Sequence, residues 1–278
     1  MASPLTRYGP RLAPDLRHAA LAVAMTVLAA VRAHAEPDLD TGWTAIATLD
    51  FRSAAARFEQ ERAGESAPGE ATYGYALALI NLQPRSEARW REAAGLLERV
   101  AASGSDDHLR AGALYWLARG AEWHSTRPDT ALAERYFVML LDRYPDDLFA
   151  ELGLGKLLML RVGRATTQAA RLHEIASLEG RVKSLRSSAA RRSFHLAAGA
   201  LCLYERLSES EALRHLQAAR TEGIAAREVL GDTLAQIAYF AHRLGHRELA
   251  ESTMKEFAEG FPRDPRNSYL RHLRESLR

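Results

Sequence analysis

His242 and His246 are four residues apart, a spacing that on one helix would set two imidazoles on the same face and could hold a metal ion. Leu244-Gly245 stands between them, and a glycine after an apolar helical stretch marks a helix end. His246 therefore falls in a turn, and no shared face is expected. Glu205, Glu209 and Glu211 raise a second possibility, paired carboxylates for acid–base work. Ser208-Glu209-Ser210-Glu211 reads instead as a polar turn opening a helix, where acidic groups meet the positive end of the helix dipole. Asp232 with His242, and Arg119 with Glu122, read as solvated surface. Cys202 is the only cysteine, so no intramolecular disulfide can form, and Leu201-Cys202-Leu203 reads as a thiol buried as a small hydrophobe. The chain has no Gly-rich phosphate loop, no H-E-x-x-H, no G-x-S-x-G and no Cys/His metal spacing. No catalytic residue, metal or cofactor is expected, and the chain reads as non-enzymatic.

The ends and the charge narrow the partners. Arg7, Arg11 and Arg17 precede an apolar run from Ala19 to Val31, followed by Ala33-His34-Ala35, the small-x-small pattern cut by signal peptidase. The run is shorter than the ~20 residues needed to span a bilayer. Residues 1–35 are therefore expected to be an export signal cleaved after Ala35, placing the protein in the periplasm or cell envelope. No cysteine lies near the cut, so no lipid anchor is expected. Membrane contact is expected only through an uncleaved signal. The 278-residue chain carries 37 basic and 35 acidic residues, a net of +2. The first 35 residues hold Arg7, Arg11, Arg17 and Arg32 against Asp15, which leaves 33 basic and 34 acidic residues beyond them. A chain so close to neutral has no field to draw in nucleic acid, and no nucleic-acid partner is expected.

Beyond residue 36, Ala, Leu, Arg and Glu recur at three- and four-residue spacing and alternating stretches are rare, which predicts an all-α fold. The pattern also repeats. Leu234, Ile237, Ala238 and Ala241 are followed by Ala250, Met254, Phe257 and Pro262. Leu114, Leu117, Ala118 and Ala121 are followed by Ala133, Phe137, Leu140 and Pro145. Looser copies carry Leu154, Gly155 and Leu158; Leu196, Gly199, Ala200 and Leu203 with Ala212, Leu216 and Ala219; Leu77-Ala78 with Ala93, Leu97 and Val100; and Asp50-Phe51 with Ala54 and Phe58. Small residues at fixed slots (Ala238, Ala200, Gly155 and Ala118 in first helices; Ala250, Ala212 and Ala133 in second helices) are expected where helices cross closely. Met254, Leu216 and Phe137 should fill the space between.

These spacings resemble the tetratricopeptide repeat, a helix–turn–helix unit that buries its apolar face only by stacking on neighbours. The segments Tyr144-Pro145-Asp146 and Phe261-Pro262-Arg263 make it similar to the repeat proteins of the bacterial cell envelope. The resemblance implies a right-handed α-α superhelix, a tetratricopeptide-like α-solenoid: about six repeats over residues 36–265, weakest near 160–192, then a capping helix over 266–278. It further implies a concave groove lined by first helices. Projecting the repeat places there Tyr75; Tyr115, Arg119 and Trp123; Phe149, Lys156 and Met159; Phe194, Leu201 and Tyr204; and Tyr239, His242 and Arg243. Aromatic residues and arginine concentrate binding energy at interfaces, so the expected partner is a protein, held through an extended peptide or a helix. Two alternatives stay open: a substrate-holding subunit of an envelope hydrolase or transferase, and a self-assembling structural component.

Overall fold

A computed structural model describes residues 39–64, 69–103, 106–123 and 127–276. The predicted signal segment, residues 1–35, lies outside them. The described residues form thirteen helices and no strand: α1 (Leu39–Ala47), α2 (Phe51–Arg62), α3 (Glu70–Asn81), α4 (Glu87–Ser103), α5 (Asp107–Trp123), α6 (Thr130–Arg143), α7 (Leu148–Arg164), α8 (Gln168–Val182), α9 (Ser188–Tyr204), α10 (Glu209–Thr221), α11 (Arg227–Arg243), α12 (Arg247–Gly260) and α13 (Arg266–Glu275). Consecutive helices pack on one another, the arrangement of an all-α solenoid of helical repeats. None of the described helices is long and apolar enough to cross a membrane. The chain divides into two compact units, Met1–Leu140 and Leu141–Arg278.

Local sequence sets the helix starts. Asp50, Asp147, Thr167, Ser187 and Ser208 each precede a helix and accept a hydrogen bond from a backbone N–H of its first turn, satisfying a donor that the helix cannot pair internally. Gly245, at a φ of +76°, ends α11 in the left-handed region where a side chain would be strained.

In the first unit the core is aromatic. Phe58 of α2 lies edge-on to Trp43 of α1, with ring centroids 5.0 Å apart. Trp43 Nε1 donates to Glu70 Oε1 at 2.6 Å, which ties α1 to α3. The Phe58 ring covers both Gly42 and Gly74 so closely that a Cβ on Gly74 would stand 2.5 Å from its Cζ. Trp90 of α4 presses in the same way on Gly120 of α5, where a Cβ would stand 1.8 Å from Cη2. Tyr115 of α5 meets Phe137 of α6, and Tyr136 of α6 donates to Glu98 of α4 at 3.0 Å.

In the second unit the α11–α12 pair shows the repeat spacing at full strength. Leu234, Ile237, Ala238, Ala241, Ala250, Met254 and Phe257 are all buried. Leu270 of α13 packs down at the C-terminal end, and Arg266 joins Asp232 of α11 at 2.6 Å. Helices α7 and α9 depart from the expected phase. Gly155 and Ala200 are only half-buried, and Gly153, Ala198 and Gly199 are buried in their place. The close approach is made at Gly199, where a Cβ would lie 3.2 Å from Leu216. The stretches around Leu154 and Leu196–Leu203 are apolar on nearly every side, so periodicity alone does not choose which face turns inward.

Candidate functional site

The residues projected onto a groove separate into three kinds. Phe149 and Phe194 are fully buried, which corrects their expected place on an exposed face. Phe149 enters α7 directly after its cap, its backbone N–H bound to Asp147 Oδ1 at 2.8 Å, and its ring is turned into the core. Phe194 lies edge-on to His215, 6.3 Å between centroids, within the α9–α10 interface. Tyr75, Tyr115 and Tyr239 are also buried and offer a partner no ring face. The Tyr75 hydroxyl bonds Glu92 at 3.3 Å, and burial raises the pKa of Tyr115.

The cations are already engaged. Arg119 pairs with Glu122 at 2.6 Å and its guanidinium stands 5.8 Å from the centre of the Trp123 ring. Both members of that ion pair are largely shielded, so they are not the solvated surface that their sequence positions suggest. Arg243 donates to Glu209 at 3.0 Å and to the Tyr239 hydroxyl at 3.2 Å. His242 is half-buried and shares a 2.9 Å hydrogen bond with Ser276, while His246 precedes α12 without a capping bond from its side chain, so the two do not lie on one helix. Lys156 is half-buried.

The third kind is exposed. Trp123 at the end of α5 keeps 63% of its surface and Tyr204 at the end of α9 keeps 55%; Met159 of α7 is exposed as well. The other large exposed apolar side chain among the described residues, Leu49, sits at a positive φ between α1 and α2.

A separate cluster, absent from the sequence reading, joins three successive helices: Glu179 of α8, His195 of α9 and His215 of α10. His195 Nδ1 and His215 Nδ1 are 2.9 Å apart. Arg214 grips Glu179 through both terminal nitrogens, Nη2 at 2.8 Å from Oε2, and the same Nη2 stands 3.1 Å from His215 Nε2. Guanidinium only donates, so His215 Nε2 accepts, its proton lies on Nδ1, and it donates to His195 Nδ1. Arg214 also reaches Glu211 at 2.7 Å. Burial, then the Arg214 charge, pushes the pKa of His215 down to about 4, and burial lowers that of His195. Both imidazoles are neutral at pH 7, each with one lone pair that accepts a hydrogen bond here and that a ligand would have to take over. One acceptor per residue, drawn from all three, lies within 4.8 Å of the others. Nothing in local spacing announces this cluster, because its members are one helix apart and meet only when α8, α9 and α10 stack.

No family model matches the chain, and no curated protein matches it.

Proposed function

We propose that this protein is a non-enzymatic helical-repeat scaffold of the tetratricopeptide type, working in the bacterial periplasm or cell envelope and holding a peptide or helix of a protein partner. The observation that carries the reading is the placement of the exposed apolar side chains. Trp123, Met159 and Tyr204 belong to α5, α7 and α9, the first helices of their repeats, and each comes from the set that the repeat phase projects onto a groove. Exposed aromatics on a helical scaffold supply large contact area with few torsions to freeze, which suits them to anchoring a partner. Arg119 stands beside Trp123 and already holds a carboxylate, so its part is to set orientation rather than affinity.

The test is capture from envelope extract by the wild-type chain and by the Trp123→Ala/Tyr204→Ala double variant, with far-UV circular dichroism on both. A partner retained by the wild type and lost by an equally helical variant supports the scaffold. If both baits hold the same set, or neither holds anything, the exposed aromatics are not the binding surface and the reading falls.

A further inference from the structure

We propose that Glu179, His195 and His215 form a binding site for one divalent transition-metal ion, and that Arg214 is the resident cation which the metal displaces.

The donor set is two imidazoles and a carboxylate, which suits nickel, copper, cobalt, iron or zinc and not magnesium or calcium. Geometry narrows the choice. Metal–imidazole bonds of about 2.0–2.1 Å drawn from two nitrogens 2.9 Å apart meet at an angle of about 90°. That is the cis angle of octahedral or tetragonal coordination, the preference of Ni²⁺ and Cu²⁺. A tetrahedral zinc site would need the two nitrogens about 0.4 Å further apart.

The electrostatics already favour a cation. Glu179 and Glu211 face the single guanidinium of Arg214, which leaves a net charge of −1 beside two neutral imidazoles. Glu222 lies near enough to His195 to favour positive charge there, though Arg191 holds it at 2.8 Å. Arg214 holds the Glu179 carboxylate that a metal would take, and it touches His215 at Nε2, across the ring from the Nδ1 that faces His195. It is also able to leave. Its side chain is 45% exposed, and Glu211, one turn before it on α10, remains as a partner once Glu179 is released. Its departure is required: a metal on His215 Nδ1 moves the ring proton to Nε2, which then faces the Arg214 N–H donor. His215 is fully buried and forms the floor of the site, while Glu179 and His195 are half-exposed and open the approach.

The consequence for the fold is local. Helix α8 buries only Ile175, Leu178 and Val182, and a metal held by Glu179 and the two histidines would fasten it to the α9–α10 pair.

Titrating NiCl₂ into the tag-free full chain by calorimetry tests the proposal, with MgCl₂ as the control ion. One Ni²⁺ should bind per chain while Mg²⁺ gives no saturable heat. His195→Asn and Glu179→Gln, both at half-exposed positions, should each weaken Ni²⁺ by about tenfold or more, since even losing a group that only orients a ligand costs that much. Arg214→Gln should tighten it by about fivefold, the equivalent of an exposed ion pair no longer competing. Failure of Ni²⁺ to bind overturns the proposal. So does binding that His195→Asn and Glu179→Gln leave unchanged, which would put the ion on exposed histidines such as His173 and His246. If Arg214→Gln binds no more tightly, the displaced-cation part is overturned. The Trp123→Ala/Tyr204→Ala variant should keep its Ni²⁺ site, so this test and the partner test fail independently.

Discussion

Cys202 shows how far one side chain's surroundings decide its chemistry. It is buried in α9, and burial pushes its thiol up to about 11. At pH 8 that cuts its thiolate by about 100-fold relative to a free cysteine, and the thiolate is the reactive species. The folded protein should therefore resist iodoacetamide and incorporate one equivalent once unfolded in guanidinium; rapid labelling of the native chain would contradict the burial. This outcome was legible from Leu201-Cys202-Leu203. The histidine cluster was not, because no window of sequence contains Glu179, His195 and His215 together at a helical spacing. The aromatics failed for another reason. Phe149, Phe194, Tyr75, Tyr115 and Tyr239 belong to helices that are apolar on more than one face, so an aromatic there belongs equally well to core or surface until neighbours are in place.

At the scale of elements, repeat spacing was most legible where large and small residues alternate strictly. In α11 and α12 every marked position is buried as expected, whereas in α9 the run Leu196–Leu203 supplies apolar residues all round and the buried face is set by packing on α10. The α4–α5 contact depends on a residue that carries no repeat signal. Gly120 leaves the space that the Trp90 ring occupies, and a methyl there would overlap the ring. Gly120→Ala should destabilise by about 1–3 kcal/mol in chemical denaturation, the usual cost of overpacking. In a Trp90→Ala background the sign should reverse, with the same change stabilising by up to about 1 kcal/mol through helix propensity alone. A cost that is equal in both backgrounds would mean that the ring does not fill that space.

Within Leu141–Arg278, five ion pairs join side chains at nearly the same separation along the chain. Arg171 with Glu205, Glu209 with Arg243, and Asp232 with Arg266 are each 34 residues apart; Glu179 with Arg214 are 35 apart, and Arg220 with Glu256 are 36 apart. Each such pair ties one helix to a later helix of the same unit, or to the turn beside it. Among the described residues of Met1–Leu140, Arg62 with Glu59, Arg91 with Glu87, Arg110 with Asp107 and Arg119 with Glu122 are ion pairs within one helix. Dissolved salt separates these two designs. Raising ionic strength from about 0.1 to 1 M shortens the screening length from about 10 to 3 Å and weakens exposed ion pairs, while burial of Phe58, Trp43 and Tyr73 is untouched. Amide hydrogen exchange should speed up in α8–α11 over that range and stay nearly constant in α1–α3; equal acceleration in both would show that the ladder bears little of the load. Ionic strength thus becomes a means of loosening one stack of repeats without melting the other.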